Sequence, residues 1–380
     1  MESLKPVINI RLSKSCIGEA EKKAVIAVLD REYLGMGAEV KQFEQALTDF
    51  LGRPTLCVAN GTAALHLALQ ACGIGPGDEV LVPSLTYVAS FQAISAVGAV
   101  PVACDIDPST MTLCWDDAEK RTSSRTKAVM PVHYAGGVGA LDKIYDFANK
   151  YGLRVIEDAA HAFGTTYQGK RIGGFGDIAC FSFDGIKNIT SGEGGCIVTN
   201  NPEVLQRVQD ARLLGVEKDT QKRFSGQRSW EFDVVAQGWR YHMSNIMAAI
   251  GIEQLRRFDE FSIKRQELAR IYDREFSAIN EVMPLNQNYD EVVPHIYPVL
   301  LAKVKDRERL MSNLKEFGIE TGLHYQPNHQ HSFYSDSTGS LGFPTIDEVY
   351  PRTLSLPLHP DLTEDDIKWV CKILSKELAK

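Results

Sequence analysis

Apolar segments with strand character alternate with amphipathic segments of helical periodicity through the first part of this 380-residue chain. The strand-like segments are residues 55–59, 79–83, 100–105, 128–133 and 154–158, and the helix-like segments between them include residues 63–72, 87–97 and 140–151. Repeated alternation of this kind predicts a mainly parallel sheet with helices on both faces, which is an α/β fold. Because ligands of such sheets bind beyond the carboxyl ends of the strands, the residues that follow each strand are the first candidates for a functional site.

The length of the chain favours two domains, since 380 residues allow more than one hydrophobic core. A long charged helix near residues 261–277 predicts a connector, and the segments after it alternate between strand and helix. We expect a large domain over residues 1–258, with an N-terminal helical segment, and a smaller C-terminal α+β domain over residues 259–380. Within the large domain, residues 215–237 are polar and irregular, which indicates either a mobile loop or a surface for a partner.

The composition argues against several classes of partner. The formal net charge of −8 is unfavourable for general binding of nucleic acid or of an anionic membrane, because both require a basic face. Eight cysteines lie scattered without a Cys-x-x-Cys spacing, so we expect buried thiols of a reducing compartment and no disulfide framework. The pair His329 and His331 lies in a polar loop, which is more typical of solvated or substrate-facing side chains than of a metal site. Without a signal-peptide segment or an apolar run of membrane-spanning length, we expect a cytoplasmic protein.

One lysine closes an apolar, strand-like run. Lys187 follows Phe181-Ser182-Phe183-Asp184-Gly185-Ile186 and precedes the glycine-rich Ser191-Gly192-Glu193-Gly194-Gly195. An amine at the end of a buried strand loses contact with water, which lowers its pKa and makes it a nucleophile or a Schiff-base former. Taken alone, a solvated surface lysine is the more frequent situation, so the interpretation depends on other residues.

Two further features follow predicted strands. The segment 154–158 ends in the carboxylates Glu157 and Asp158, and a buried carboxylate must find a cation because an unpaired buried charge is costly. The turn Asn60-Gly61-Thr62 joins a strand to a helix N-terminus, whose free N–H groups and positive dipole end favour a phosphate. Taken alone, a turn of this kind is more often an ordinary N-cap, here at Thr62, than a phosphate site.

Together these features match the requirements of pyridoxal phosphate (PLP). The cofactor needs an amine for its aldehyde, a carboxylate for its ring nitrogen, an anion site for its phosphate and a flat surface against its ring. The sequence offers Lys187, Asp158, the turn Gly61-Thr62-Ala63 with Ser182, and Tyr87 or His161 for these four roles.

Five segments carry a resemblance to a known family. They are Gly18–Glu21, Asn60–Leu65, Glu157-Asp158-Ala159-Ala160-His161-Ala162-Phe163-Gly164, the lysine segment, and Met243–Gly251. With these segments the chain resembles, almost from end to end, the DegT/StrS-type nucleotide-sugar aminotransferases, which are fold type I PLP enzymes. The resemblance implies a mainly parallel seven-stranded sheet in the large domain and PLP as the cofactor.

The resemblance also implies individual roles. Lys187 resembles the Schiff-base lysine and Asp158 the partner of the pyridine nitrogen, and both are the expected catalytic residues. A lysine at position 187 is significant because related sugar dehydratases carry histidine there. The expected cofactor-binding residues are Gly61, Thr62, Ala63, Tyr87, Asp158, His161, Ser182, Lys187, Asn188 and Arg240.

One motif departs from the family pattern. The usual Gly-x-Asn-x-Arg-Met appears here as Gly238-Trp239-Arg240-Tyr241-His242-Met243. In relatives, the asparagine reaches the cofactor phosphate of the neighbouring subunit, and an arginine makes such a contact as a charge-assisted hydrogen bond. We therefore expect a homodimer with shared active sites in which Arg240 takes this role, the alternative being that Arg240 only packs in the interface.

The resemblance implies transamination of a nucleotide-linked keto sugar with L-glutamate as amino donor, giving an amino sugar nucleotide for polysaccharide, lipopolysaccharide O-antigen or glycoconjugate biosynthesis. Gly192-Glu193-Gly194-Gly195 is similar to enzymes acting on 4-keto sugars, so a 4-keto-6-deoxyhexose is the expected acceptor. The expected substrate contacts are Tyr33, Asp184, His324, Tyr325 and His329. The alternatives are a 3-keto sugar aminotransferase, a PLP-dependent sugar dehydratase, or, in another class, a non-catalytic regulator that has kept the fold.

Overall fold

The computed structural model describes residues 9–217, 219–228, 230–303, 306–335 and 341–380. Its helices are α1 (Glu19–Asp30), α2 (Ala38–Leu51), α3 (Gly61–Ala71), α4 (Val88–Ala96), α5 (Trp115–Arg121), α6 (Leu141–Tyr151), α7 (Pro202–Ala211), α8 (Asp219–Phe224), α9 (Asn245–Arg256), α10 (Phe258–Phe276), α11 (Arg307–Glu316), α12 (Pro344–Val349) and α13 (Glu364–Leu378). Its strands are β1 (Thr55–Val58), β2 (Glu79–Pro83), β3 (Val100–Cys104), β4 (Thr126–Val129), β5 (Arg154–Asp158), β6 (Thr166–Tyr167), β7 (Lys170–Arg171), β8 (Ile178–Ser182), β9 (Gly195–Thr199), β10 (Val282–Pro284), β11 (Tyr297–Leu301) and β12 (Thr353–Leu356).

Seven strands form the large sheet in the order β1-β9-β8-β5-β4-β2-β3. The pairs from β8 to β3 are parallel, and β9 runs antiparallel to both of its neighbours. The segment 183–194 between β8 and β9 contains no helix that would return the chain for a parallel pairing, so β9 turns back. The predicted mainly parallel seven-stranded sheet is confirmed.

Both faces of this sheet are covered. Along β8, Ile178 and Cys180 enter a hydrophobic cluster with residues of α3 and α4. The alternate residues Ala179 and Phe181 enter a second cluster with residues of α2 and α9. A strand buried on both faces needs a continuous apolar sequence, which explains why β8 carries no charged residue.

A second sheet, with antiparallel order β10-β11-β12, forms the C-terminal core together with α10, α11 and α13. Ile10 is buried in the same core and forms a parallel bridge with Ile319. The earliest described residues therefore pack against the C-terminal part of the chain, and the expected domain boundary at residues 258/259 stays a prediction.

The interpretation of residues 215–237 as irregular is wrong for part of that segment, because α8 lies inside it. The elements α5, α12, β10, β12 and the β6-β7 hairpin were not predicted either. For α5 the signal was present, since acidic residues occupy its first turn and basic residues its last, as the helix dipole favours. Among the described residues, no helix combines the length and apolar character needed to cross a membrane.

Gly164 provides a test of packing between the segment that follows β5 and the start of α10. Its φ is +87°, and a Cβ added there would lie 1.9 Å from Cζ of Phe258, whereas Gly73 has φ +75° with no atom within 4 Å of such a Cβ. Gly73→Ala therefore adds only left-handed backbone strain, about 1 kcal/mol, and Gly164→Ala adds overpacking of at least ~2 kcal/mol more. We expect thermal melting to fall in the order wild type, Gly73→Ala, Gly164→Ala; equal melting of the two variants would contradict the close packing.

Candidate active site

Lys187 lies in the loop 183–194, between β8 and β9, at the carboxyl end of the parallel strands. Hydrogen bonds from the Phe183 amide to the Gly194 carbonyl (2.8 Å) and from the Ser191 amide to the Phe183 carbonyl (2.9 Å) close the loop at its base. The Nζ atom of Lys187 is 3.4 Å from Nε2 of His295. Among the described residues, no carboxylate oxygen lies within the 4.0 Å of this Nζ that would define an ion pair.

The environment of Lys187 favours its neutral amine. Some of the side chain stays exposed, yet protein atoms crowd the amine, and this burial lowers the pKa of Lys187 to about 8, against the opposing charges of Asp158 and Asp184 and with a smaller contribution from Arg265. An amine with this pKa is partly neutral near physiological pH and can act as a nucleophile and as a base.

Asp158 ends β5 and is only 7% exposed. Its Oδ2 accepts a hydrogen bond from Oγ of Ser90 (2.7 Å), and its Oδ1 accepts one from the amide of Ala160 (3.2 Å). In the described part of the chain, no lysine, arginine or histidine nitrogen forms an ion pair with it. A buried carboxylate without a contacting cation fits the ring nitrogen of PLP, which supplies a positive charge.

Flat side chains gather around His161, three residues after this carboxylate. Nε2 of His161 is 3.0 Å from the hydroxyl of Tyr325, and the ring of Tyr325 lies 5.3 Å from the ring of Tyr87, which is 58% exposed. Burial, followed by the charges of Lys187 and His324, holds the pKa of His161 well below its usual range. His161 is therefore a neutral, flat surface, and Tyr325, expected as a substrate contact, lies beside the expected ring-stacking residues.

The N-terminus of α3 lies directly against β8. A Cβ on Gly61 would lie 2.8 Å from Cβ of Ser182, so only glycine permits this approach. Oδ1 of Asn60 accepts the hydrogen bond of the Ala63 amide (2.8 Å), so the cap occupies that N–H and not those of Gly61 and Thr62. The turn thus has the shape and the free donors of an anion site, in which Ala63 contributes less than its two predecessors.

Asn188 connects the lysine loop to a distant segment. Its Nδ2 donates to the carbonyl oxygens of Phe163 and Val293, both at 3.2 Å, and its buried Oδ1 has no partner among the described residues. These contacts fix the neighbourhood of Lys187, and the expected contact of Asn188 with the cofactor stays a prediction.

Two expected site residues lie in other surroundings. The carbonyl oxygen of Tyr33 accepts a hydrogen bond from Nδ2 of Asn245 (3.0 Å), which docks the loop 33–37 on the start of α9. Arg240 is exposed and forms a backbone bridge with Leu213. In the described part of the chain, neither side chain forms a hydrogen bond or ion pair with Lys187 or Asp158, so the roles of Tyr33 and Arg240 stay predictions.

Asp184 and His324, two further expected substrate contacts, already form hydrogen bonds within the chain. Oδ1 of Asp184 accepts the amide hydrogen bond of Ile186 (3.2 Å) within the lysine loop. Nδ1 of His324 lies 2.8 Å from Oγ of Ser355, and burial together with Lys187 lowers the pKa of His324 to about 4. These two residues therefore lie near the amine.

His329 is committed to packing. Its Nδ1 lies 2.8 Å from Oγ of Ser84, and its ring stacks on that of Phe343 at 4.1 Å. Its position as a substrate contact stays a prediction, because the described structure accounts for this side chain without a ligand.

Three residues that the sequence interpretation missed belong to the site. Ser90 holds Asp158, His295 contacts Lys187, and Arg265 of α10 is a buried cation, 2% exposed, whose charge acts on Lys187. Ser90 had a usable signal, since it lies one helical turn after Tyr87 on a helix whose start was already placed beside the site. His295 and Arg265 had none beyond their position in ordinary strand and helix patterns.

The residues present fit PLP, because a reactive amine, an unpaired buried carboxylate and a glycine-dependent anion turn converge at one end of the sheet. This combination of sheet and site defines a fold type I PLP enzyme.

Comparison with known proteins identifies the family. The model of the DegT/DnrJ/EryC1/StrS aminotransferase family matches residues 15–375. The uncharacterized protein MJ1066 of Methanocaldococcus jannaschii is 38% identical over 374 residues, 97% of each chain. The PLP form of Spr1654 from Streptococcus pneumoniae is 28% identical, covers 98% of this chain and 99% of its own, and has a TM-score of 0.90. Helicobacter pylori PseC, an aminotransferase involved in the biosynthesis of pseudoaminic acid, is also 28% identical. It covers 98% of this chain and 99% of its own, with a TM-score of 0.90.

This chain belongs to the DegT/DnrJ/EryC1/StrS aminotransferase family and is a PLP-dependent aminotransferase. The expectations for family, fold, cofactor and enzyme class are thereby confirmed, which leaves no role for the alternative of a non-catalytic regulator.

Asp158→Asn tests the electrostatics of the site. Because the Asp158 charge favours the ammonium form of Lys187, its removal should lower the pKa of Lys187 by about one unit. The measurement is trace acetylation of the cofactor-free, full-length protein across the neutral to alkaline range, with Lys187 reactivity quantified by peptide mass spectrometry. Ser90→Ala keeps the charge and should leave this pKa nearly unchanged; a rise in the Asp158→Asn variant would contradict the assignment.

Proposed function

We propose that this enzyme transfers the amino group of L-glutamate to a nucleotide-linked 4-keto-6-deoxyhexose and releases 2-oxoglutarate. The observation that carries the proposal is the Lys187 amine, with a pKa of about 8, placed among neutral histidines near the buried carboxylate of Asp158. The product would be an amino sugar nucleotide for a polysaccharide, O-antigen or other glycoconjugate. We further propose a cytoplasmic location, since all eight cysteines are free thiols, as in reducing compartments.

PLP, when bound, supplies an aldehyde that takes up amino groups and a ring that withdraws electrons. The protein residues have complementary tasks. Neutral Nζ of Lys187 accepts the proton that leaves the donor carbon and returns it during amino transfer. Asp158, fixed by Ser90 and Ala160, presents a negative charge to the ring nitrogen. The Gly61–Thr62 turn and Ser182 would hold the phosphate, and Tyr87 and His161 would flank the ring.

The glycine-rich segment after Lys187 supports a 4-keto acceptor by its resemblance, and the surroundings of its glycines support Glu193 as the residue that would contribute. A Cβ on Gly195 would lie 2.6 Å from the Asn60 carbonyl carbon, and one on Gly194 would lie 2.9 Å from Cε of Met243. Gly192 has φ +79°. The backbone packing of Gly195, the contact of Gly194 with Met243 and the left-handed conformation of Gly192 give each glycine a structural reason, so exposed Glu193 would be the residue of this segment that bears on the acceptor.

Glu193 and Asp184 interact across the lysine loop. Burial and the Asp184 charge both raise the pKa of Glu193. An acidic pair at this position suits the hydroxyl groups of a hexose, which donate hydrogen bonds to carboxylates. Asp184, His324 and Tyr325 would contact the sugar near Lys187, whereas Tyr33 and His329 would line its approach.

We also propose a homodimer with shared active sites. An apolar stretch beside Arg240 is exposed in the single chain, with Trp230 89% and Val235 65% accessible, together with Phe232 and Val234. Such a stretch is typical of a surface that a second copy covers. Exposed Arg240 then extends toward the cofactor phosphate of the partner subunit, whose charge it would neutralise.

The first test follows the cofactor spectrum. Cofactor-loaded protein should lose its visible absorbance on addition of glutamate and recover it on addition of a 4-keto-6-deoxyhexose linked to dTDP, UDP or GDP. Lys187→Ala should show neither change and no measurable turnover. Recovery with a 3-keto sugar alone would contradict the proposed acceptor, and an unchanged spectrum with glutamate would contradict the donor.

The second test mixes inactive chains. If Arg240 completes the partner's site, co-refolded Lys187→Ala and Arg240→Ala chains form heterodimers with one intact site, which restores about a quarter of wild-type activity. Co-refolding Lys187→Ala with Asp158→Asn is the matched control, because both residues belong to the same site and no intact site can form. Absence of recovery in the first mixture would show that Arg240 does not act across the interface.

A further inference from the structure

We propose that His295 is the positioning residue of Lys187: its Nε2 accepts a hydrogen bond from the lysine amine and thereby fixes the direction in which that amine points. The inference rests on the proposed role of Lys187 as the amine that reacts and moves protons. The role of Lys187 would then depend on His295, a residue from the C-terminal part of the chain.

The contact is the principal polar interaction of both side chains. Nζ of Lys187 lies 3.4 Å from Nε2 of His295, and no ion pair of Lys187 exists in the described ranges. His295 is 3% exposed, and its other nitrogen, Nδ1, is buried without a partner among the described residues. A buried imidazole normally has its polar atoms satisfied by protein neighbours. Within the described ranges, Lys187 is the one polar partner of this imidazole.

The backbone around His295 is fixed from several sides. Nη1 of Arg265 donates to the His295 carbonyl (3.1 Å). The Val293 amide donates to Oγ1 of Thr165 (3.1 Å), and the Val293 carbonyl accepts from Asn188 (3.2 Å). Asn188, the residue after Lys187, thus holds the segment that carries His295, so the backbone of the lysine loop and the backbone around His295 are fixed to each other.

Burial and the neighbouring charges together keep the ring of His295 neutral. Burial is the main cause that holds its pKa well below the usual range, followed by Lys187, His161, Arg265 and His324. A neutral imidazole with its hydrogen on Nδ1 offers the Nε2 lone pair to an ammonium. The acidic groups that face the amine, Asp158 and Asp184, act on it from a distance, so they favour its charge without fixing its direction.

Two separate variants, His295→Gln and His295→Met, test the proposal. Glutamine and methionine are similar in size, but only glutamine offers a strong acceptor. In cofactor-free, full-length protein, His295→Met should lower the pKa of Lys187, measured by trace acetylation, by about one unit, since the ammonium loses a hydrogen bond. His295→Gln should stay within roughly 0.5 unit of wild type. In the loaded enzyme, His295→Met should reduce kcat roughly tenfold with little change in KM for glutamate.

His66→Met is the matched control, because His66 is also buried against aromatic rings and its pKa is lowered by burial alone. It should leave the pKa of Lys187 unchanged. Equal pKa values in His295→Met and wild type, or equal shifts in the Gln and Met variants, would overturn the proposal. If the variants do not fold, the ¹⁵N spectrum of histidine-labelled wild-type protein decides: a hydrogen-bearing Nε2 of His295 while Lys187 is charged would overturn it as well.

These outcomes separate the inference from the proposed function. Acetylation needs neither cofactor nor substrate, so a shift of the Lys187 pKa in His295→Met supports the inference even if glutamate leaves the loaded enzyme unchanged. An unshifted pKa with normal transamination overturns the inference alone.

Discussion

The register of three neighbouring strands brings the active site together. Ser182 at the end of β8 pairs with Gly195 at the start of β9, and Gly195 pairs with Val58 at the end of β1. Because β9 is antiparallel to both neighbours, its first residue lies where β1 and β8 end, and the loop that carries Lys187 must return to that same edge. The N-terminus of α3, separated from β1 by two residues, is then forced against Ser182. Amine and anion site are adjacent because of this pairing.

The two charged groups of the site, Lys187 and Asp158, do not neutralise each other by direct contact. Lys187 and Asp158 are close enough to influence each other without forming a contact ion pair. A direct pair would raise the pKa of the lysine and remove its reactivity. Separation leaves a carboxylate that is buried, hydrogen-bonded by Ser90 and available to a cationic ligand. The apo site thus carries an electrostatic cost, which a cofactor with a positive ring and a negative phosphate relieves.

The sequence was sufficient for those parts of the site that follow a strand in the chain. Lys187, Asp158 and the turn at Gly61 were found because alternating strands and helices predict the edge where their side chains meet. Ser90 was missed although its position one helical turn after Tyr87 was a usable signal. His295 was missed because it lies 108 residues from Lys187, with which it makes its contact. Contacts of this kind depend on tertiary packing, which leaves no local pattern. For His329 the local sequence was misleading: its polar loop suggested a solvated side chain, but Ser84 and Phe343 hold the ring.

The C-terminal part of the chain is attached to the large sheet at two separate places around the site. Asn188 and Thr165 hold the backbone of Val293, and Asn328 donates to the carbonyl oxygens of Ser84 (3.1 Å) and Thr86 (2.8 Å). A wide hinge opening would break both buried attachments at once. The two attachments therefore oppose a clamshell motion of the C-terminal part of the chain, because such a motion would leave the buried polar groups of Val293 and Asn328 without their hydrogen bonds.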